Sequence, residues 1–103
     1  MLEGKLEPLD VAKRVLSQST LQVVARRPYT ACGWKILDRW ALNSPKQLKN
    51  LEQQSEFLLL SRLLEQQETE SKVLMEQTAL ERLASGETEA EILMTALVQT
   101  ELQ

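Results

Sequence analysis

An all-α protein is predicted by three features of this 103-residue sequence. Leu, Ala, Glu and Gln, which favour helices, dominate the composition. Gly and Pro number only three each, too few for the many turns of a β-sheet protein. Apolar side chains recur at helical spacing, and three S/T-x-x-E/Q patterns mark helix starts. We therefore expect a single helical domain, residues 1–103, formed by a compact bundle of five to six helices.

The first two helices are expected in the basic helical subregion, residues 1–43. The first begins near Leu9 and presents an apolar stripe formed by Val11, Ala12, Val15 and Leu16. Ser19 and Gln22 form a capping-box pattern, which predicts the start of a second short helix. This helix has to end before Pro28, because the residue that precedes a proline avoids the α conformation.

The third and fourth helices are separated by the clearest boundary in the sequence. A third helix is expected over residues 31–42, with an apolar face formed by Trp34, Ile36, Leu37, Trp40 and Ala41. Ser44 is placed to cap the next helix, Pro45 occupies the favoured first position, and Gln47 completes a capping box. The fourth helix is expected to run over residues 45–67, within the acidic helical subregion, residues 44–103.

The remaining chain predicts two more helices. Residues 65–72 contain no apolar side chain, which favours a break there. A fifth helix is expected over residues 71–84, with Gly86 suited to the left-handed conformation that ends many helices. A capping box that begins at Thr88 opens a last helix, which is expected to extend to about Leu102.

Two of these helices carry more apolar surface than a chain of this size is expected to cover. The fourth helix is apolar nearly all round near its end, and so is the last helix. A helix that is apolar on all sides has to be buried on all sides, which indicates association with a partner or a second copy in a homodimer. The predicted interface consists of Phe57, Leu59, Leu60, Leu63, Leu64, Ile92, Leu93 and Leu97.

The charge of the chain is divided unevenly between its halves. Residues 1–50 contain nine Lys or Arg and four Asp or Glu, whereas residues 51–103 contain three Lys or Arg and eleven Glu. This asymmetry indicates either a face for an anionic partner, or attraction between the two halves within one chain or between copies.

Nucleic-acid binding is one interpretation of the basic half. Residues 19–42 resemble a helix–turn–helix, with residues 31–42 as the recognition helix. The predicted anion or nucleic-acid contacts are Lys13, Arg14, Arg26, Arg27, Lys35 and Arg39. The sequence also offers arguments against it: Tyr29 stands where a turn glycine is usual, and Asp38 would repel phosphates. The two Trp side chains are better explained as core or interface anchors.

Catalysis is not expected of this chain. It contains no histidine, which excludes Ser-His-Asp and Cys-His arrangements and removes the commonest metal ligand. Cys32 is expected to be a small, half-buried apolar side chain rather than a nucleophile. Acidic clusters are expected to complement a helix dipole or to face solvent; they are Glu87, Glu89 and Glu91, and Glu65, Glu68 and Glu70. We predict no catalytic, cofactor or metal site and no small-molecule substrate.

A soluble, cytoplasmic protein is expected. A single cysteine favours a reducing compartment. The first residues lack the apolar segment of a signal peptide, and the longest apolar-rich run, residues 57–64, is too short to cross a bilayer. No membrane association is predicted.

The function favoured by the sequence is a small, non-enzymatic protein–protein interaction module. It would act as an adaptor, a chaperone-like binder or an inhibitor of a larger, unidentified protein, by docking apolar helix faces. The composition is typical of a bacterial or phage accessory protein. The alternative is a DNA-binding regulator, with a helix–turn–helix-like basic half and an acidic half that dimerises.

Overall fold

Six α-helices and one short 3-10 turn make up the part of the fold that the structure describes. The computed structural model describes residues 8–102, and residues 1–7, where we predict no signal peptide, lie outside them. No strand forms within the described part, so the predicted all-α bundle is confirmed. The elements are the 3-10 turn Ala12–Arg14, α1 Gln18–Val24, α2 Ala31–Asn43, α3 Pro45–Gln54, α4 Glu56–Leu74, α5 Gln77–Ala84 and α6 Glu89–Thr95.

Helix α2 is the centre of the fold. It packs against the 3-10 turn, α3 and α4, and α4 in turn packs against α3, α5 and α6. The predicted bounds of α2 are correct to within one residue at its end. Its apolar face and those of α3 and α4 form the core with Ala12, Leu16, Val24, Tyr29, Ile36, Leu37, Trp40, Ala41, Leu48, Leu59, Leu63 and Leu102.

The first predicted helix is replaced by the 3-10 turn. The carboxylate of Asp38, on α2, accepts hydrogen bonds from the backbone N–H groups of Leu9, at 2.8 Å, and Ala12, at 2.9 Å. These bonds satisfy the backbone donors at the start of the turn, so the segment is held without a longer helix. Asp38 is therefore an anchor for the chain that precedes α1.

Helix α1 begins one residue before the predicted cap, so the prediction of a capping box at Ser19 is wrong. The chain enters α1 from Ser17, whose backbone N–H and hydroxyl both donate to the Glu52 carboxylate, at 2.8 and 2.9 Å. Burial acts to raise the pKa of Glu52, but hydrogen bonds led by the Ser17 backbone N–H lower it overall. The start of α1 is thus fixed by α3 rather than by a local cap.

The predicted fourth helix is two helices. Pro45 occupies the first position of α3 as expected, but the Ser44 side chain makes no capping bond. The chain breaks at Ser55, which is extended, and the Ser55 hydroxyl accepts from the backbone N–H of Leu58 at 3.3 Å. A serine followed by Glu56 in the first turn is a recognisable helix start that the apolar pattern obscured.

The predicted break at residues 65–72 is absent, because α4 continues through it to Leu74. The polar side chains of this segment do not all face solvent. Gln66, Gln67 and Glu70 are each at most 6% exposed, and each is hydrogen-bonded to another element. Buried polar groups that are fully hydrogen-bonded can replace an apolar face, which is why the apolar pattern did not detect the helix here.

Gln67 joins α4 to the start of α2. Its carboxamide oxygen accepts from the Thr30 backbone N–H at 2.9 Å, and its amide nitrogen donates to the Pro28 carbonyl at 3.0 Å. Gly33 faces this carboxamide so closely that a Cβ atom there would collide with its oxygen. Glycine at this position therefore permits the close approach of α2 and α4.

Helix α5 begins at Gln77, six residues later than predicted, and ends as predicted. Gly86 adopts φ +105° just after the helix. Its N–H donates to the Leu83 carbonyl, and the N–H of Glu87 donates to the Arg82 carbonyl. These two bonds are the Schellman arrangement, and they confirm the left-handed role predicted for the glycine.

Helix α6 begins with the predicted capping box, which is confirmed: the Thr88 and Glu91 side chains each bond the other's backbone N–H. The Thr88 backbone N–H, as the main cause, lowers the pKa of Glu91. The predicted extension to residue 102 is wrong, because α6 ends at Thr95. Residues 98–102 form an irregular segment, here called the C-terminal strap, whose Leu102 side chain enters the core with 8% exposure.

Substitution of Leu97 by glycine is expected to stabilise the protein by about 1 kcal/mol. Leu97 ends α6 in the left-handed conformation, with φ +62°, in a second Schellman arrangement that normally takes glycine. Its side chain is 91% exposed, so little packing is lost. Urea unfolding measures the change. Leu97→Ala keeps the Cβ atom and is the control, with a change close to zero; equal stability of all three proteins would contradict the explanation.

None of the helices within residues 8–102 is long and apolar enough to cross a bilayer.

Candidate functional site

A cleft of about 610 Å³ opens between α2, α4, α6 and the C-terminal strap. We call it the α2–α4–α6 cleft. Its volume falls within the roughly 300–1,000 Å³ typical of ligand-binding clefts. The apolar lining consists of Leu74, Met75, Ala90, Leu93, Met94 and Val98, with Cys32 beside them. The charged lining consists of Lys35, Arg39, Glu70, Glu89 and Glu101.

Two methionines on the apolar lining are largely accessible. Met75, at the end of α4, is 72% exposed, and Met94, on α6, is 71% exposed. Leu93 is buried beside them. Methionine is flexible and polarisable, so its side chain adapts to differently shaped apolar partners. The cleft therefore offers an apolar surface that can adjust to an occupant.

A largely buried ion pair forms part of the lining of the cleft. The Arg39 guanidinium faces the Glu70 carboxylate with two bonds, Nη2 to Oε2 at 2.6 Å and Nη1 to Oε1 at 3.3 Å. The Glu70 side chain is 3% exposed and the Arg39 side chain is 26% exposed. Gln66 Nε2 donates to the same carboxylate at 2.7 Å. Arg39 and Glu70 both make further hydrogen bonds. These bonds offset the free-energy cost of removing the Glu70 carboxylate from water.

The same side chains hold the C-terminal strap. The Thr100 carbonyl oxygen accepts from Arg39 Nε at 3.1 Å, Arg39 Nη2 at 2.7 Å and Trp40 Nε1 at 2.9 Å. The Gln99 carbonyl accepts from Gln66 Nε2 at 2.6 Å. Since the strap forms one wall of the cleft, these bonds fix the shape of the cleft as well as the chain end.

Weaker charge pairs lie at the rim. Lys35 Nζ is 3.7 Å from Glu89 Oε1, and both side chains are largely exposed. Glu101 Oε2 is 3.6 Å from Arg39 Nε, and its carboxylate also accepts from the Asn43 side chain at 3.2 Å. Exposed pairs at such distances are worth little, so these charges remain available to an occupant.

The residues of the predicted partner interface differ widely in their exposure. Leu59 and Leu63 are fully buried, and Ile92 and Leu93 are nearly so, within the chain itself. Leu60 and Leu64 are partly buried against the same core. The physical reason for the residues of α4 is that α2 and α3 pack against this helix, so Leu59 and Leu63 are unavailable to a partner in this structure. Phe57, at 75% exposure, and Leu97, at 91%, remain accessible.

The predicted anion contacts are scattered over three elements. Lys13 pairs with Asp10 at 2.9 Å, and Arg14 lies exposed beside it. Arg26 and Arg27 are exposed on the connection between α1 and α2. Lys35 and Arg39 lie together on α2, but Arg39 is engaged by Glu70 and the strap.

The position of α2 gives no support to the helix–turn–helix interpretation. A recognition helix has to be exposed along one face to enter the major groove. Helix α2 is instead the central helix and packs against the 3-10 turn, α3 and α4. Helix α1 packs mainly against the 3-10 turn, although Trp34 Nε1 donates to the Val24 carbonyl at 2.7 Å. The two elements do not form the paired unit that the motif requires.

The acidic clusters and the cysteine have ordinary surroundings. Glu87 pairs with Arg82 at 2.5 Å, Glu91 caps α6, and Glu89 reaches Lys35. Across residues 8–102, no group of three His, Cys, Asp or Glu side chains is placed to hold a metal ion. Cys32 is half-buried in the lining of the cleft.

The sequence interpretation missed the accessible methionines and the buried acid. Met75 and Met94 lie outside the apolar stripes that form the core, and helical spacing alone could have suggested their exposure. Glu70 and Gln66 gave no signal, because nothing local distinguishes a buried polar side chain from a solvated one. Their partners are Arg39 and residues 99–100, which are distant in the sequence.

Comparison of the chain with protein families, with curated proteins and with solved structures finds no match.

Proposed function

We propose that this protein is a small, non-enzymatic interaction module that binds a helix of another protein in the α2–α4–α6 cleft. The observation that carries the proposal is the accessible apolar lining around Met75 and Met94, in a cleft of about 610 Å³. Apolar grooves of this kind receive the apolar face of an amphipathic helix. The module would act as an adaptor, a chaperone-like binder or an inhibitor of a larger protein.

The polar groups of the cleft favour a protein segment over a small molecule. A small-molecule site keeps a few polar groups free to orient its ligand. Here Arg39, Glu70 and Gln66 already bond one another and the strap. Every fully buried side-chain nitrogen or oxygen within residues 8–102 has a hydrogen-bond partner. The surface left for an occupant is apolar, with charges at its rim.

The absence of histidine supports a binding role. Cys32, Ser71 and Thr100 are the cleft-lining side chains that carry a thiol or a hydroxyl group. A serine or thiol nucleophile is normally activated by an adjacent base, most often histidine, and the chain contains none.

A photo-crosslinking amino acid at Met94 is expected to form a covalent adduct with a second protein in the cells that carry this gene. Position 94 lies on the lining of the cleft, so an occupant has to contact it. The adduct is measured as a mass shift on a denaturing gel. The control is the same amino acid at Leu42, which is 69% exposed and does not line the cleft. Adducts of equal yield at both positions, or none at position 94, would count against the cleft.

Self-association is part of the proposal, and Phe57 is the residue to test. It lies beside Leu58 at the start of α4, where the two side chains are 75% and 51% exposed. Light scattering is expected to give about twice the chain mass of 11.8 kDa. Phe57→Glu is expected to restore the monomer mass and to lower the melting temperature only by the concentration-dependent stabilisation that the dimer supplies, because Phe57 lies outside the core of one chain. A monomeric wild-type protein at high concentration would exclude the homodimer.

DNA binding stays as the second proposal, supported by exposed cations and not by a helix–turn–helix. Arg14, Arg26 and Arg27 are exposed, and none forms an ion pair with a residue in the range 8–102. Anisotropy of a labelled duplex at two salt concentrations separates the two functions. Binding that weakens steeply with salt would favour DNA contacts, because phosphate neutralisation releases counterions.

A further inference from the structure

We infer that the occupant of the α2–α4–α6 cleft is a cationic amphipathic helix, with Lys or Arg flanking its apolar face. This inference rests on the proposed function and specifies the chemistry of the partner. The charged side chains that line the cleft are three Glu and two cations: Glu70, Glu89, Glu101, Lys35 and Arg39. Because Arg39 is paired with Glu70, the carboxylates of Glu89 and Glu101 outnumber the remaining cation, Lys35. An apolar groove edged by an excess of carboxylates is complementary to an apolar stripe flanked by positive charges.

Two of these carboxylates lack a strong ionic partner at the cleft, although Glu101 also accepts from the neutral Asn43 side chain at 3.2 Å. The Glu89 side chain is 49% exposed, and its pair with Lys35 is long, at 3.7 Å. The Glu101 side chain is 38% exposed. Its ion-pair partner is Arg39, whose Nε lies 3.6 Å from Glu101 Oε2, whereas Arg39 Nη2 lies 2.6 Å from Glu70 Oε2. One guanidinium thus serves two carboxylates. Glu89 and Glu101 are therefore the groups that a cationic helix would engage.

The other carboxylates in and around the cleft divide into engaged and solvated groups. Glu70 is neutralised by Arg39, Glu87 pairs with Arg82, and Glu91 caps α6. Glu65 and Glu68 are exposed on α4 and do not line the cleft. They add to the negative potential without being placed for direct contact.

Lys35 is the cation that an incoming helix would have to displace. Its side chain is 72% exposed and its pair with Glu89 is at the surface, where such pairs contribute little. A long, flexible side chain in this position can turn away into water. Lys35 therefore acts as a weak competitor for Glu89, and its removal is expected to strengthen the binding of a cationic helix.

Fluorescence anisotropy with designed helical peptides tests the inference on the full chain. The probe is a labelled Leu/Lys amphipathic peptide of about 18 residues, long enough to form a helix. Its match is a peptide with the same Leu positions and Glu in place of Lys. The Leu/Lys peptide is expected to bind at least about tenfold more tightly, and its binding is expected to weaken with salt.

Variants assign the binding to the cleft. Glu89→Gln with Glu101→Gln is expected to weaken the Leu/Lys peptide about fivefold or more, and Lys35→Gln is expected to strengthen it. Glu65→Gln removes the same charge outside the cleft and is the control, with a change below about twofold. Met94→Gln leaves the net charge unchanged and replaces the apolar thioether with a polar carboxamide. It is expected to weaken the binding of both peptides.

The outcomes separate this inference from the proposed function. Equal binding of both peptides, lost on Met94→Gln, would overturn the cationic partner and leave the apolar cleft as a helix site. Binding of the Leu/Lys peptide that responds to Glu65→Gln as strongly as to the double variant would show general adsorption to an acidic surface, and would overturn the inference. Binding of neither peptide would overturn both proposals.

Discussion

Replacement of Arg39 by methionine is expected to destabilise the protein by about 3 kcal/mol, the loss typical of breaking a buried pair on one side. The Glu70 carboxylate, 3% exposed, would keep only the Gln66 amide as a partner. The Thr100 carbonyl would lose two of its three donors and keep Trp40 Nε1. Urea unfolding with linear extrapolation measures the loss.

The paired substitutions show whether the loss comes from the orphaned carboxylate. Glu70→Gln is expected to cost clearly less, because Arg39 is 26% exposed and can turn towards water. The double variant Arg39→Met with Glu70→Gln is expected to regain much of the stability that the single Arg39 variant loses, so the cycle shows strong coupling. If Arg39→Met costs less than about 1 kcal/mol, or if the two changes are additive, the ion pair does not fix the strap as described.

At a protein concentration low enough to keep the chain monomeric, Leu63→Ala is expected to destabilise the protein by about 3 kcal/mol, whereas Phe57→Ala is expected to cost less than about 0.5 kcal/mol. Both residues belong to α4 and both were predicted from sequence as interface. Leu63 is fully buried where α4 packs against its neighbouring helices, whereas Phe57 is 75% exposed. Thermal unfolding at one protein concentration measures both changes, and Leu63→Ala leaves a cavity that the core cannot fully close.

Thermal unfolding repeated at several protein concentrations shows whether a second copy buries Phe57. A loss for Phe57→Ala that grows with protein concentration would show that a second copy buries Phe57. A large loss for Phe57→Ala that does not depend on concentration would contradict the exposed position of this side chain. A small loss for Leu63→Ala would contradict its place in the core.

Local signals in the sequence predicted the parts of the fold that local interactions decide. Thr88 and Glu91 lie three residues apart, and each satisfies the other's backbone N–H, so the pattern is sufficient to place the start of α6. Gly86 likewise tolerates the positive φ that ends α5. Both features act within one turn of a helix, and both were predicted correctly.

Features that depend on distant partners were not predicted. Residues 66, 67 and 70 are polar, yet they are buried because their hydrogen-bond partners arrive from α2, the connection before it and the strap. The end of α6 was misplaced because Leu97 takes a conformation usual for glycine. We attribute this conformation of Leu97 to the hydrogen bonds that attach the strap to Arg39 and Trp40. These partners are distant in the sequence, so a local pattern does not reveal them.

The residues of the candidate site show the same difference between local signals and distant partners. The apolar and charged positions of α2 were recognised, but the role of Arg39 was assigned to an anion or nucleic acid because Glu70 was read as solvated. The charge asymmetry is a property of the two halves in the sequence, whereas the structure brings Lys35 and Arg39 of the basic half to Glu70, Glu89 and Glu101 of the acidic half in one cleft. Only the packing of α2 between α4 and the strap distinguishes these interpretations.

The hydrogen bonds to Thr100 also set an order of events during synthesis of the chain. Arg39 and its acceptor are 61 residues apart. At about 5–20 residues per second, a ribosome takes roughly 3–12 s to add them, whereas an isolated helix forms within about a microsecond. The acceptor for the Trp40 indole N–H is therefore made seconds after the residues of α2. The cleft can be completed only after the C-terminal strap has been synthesised.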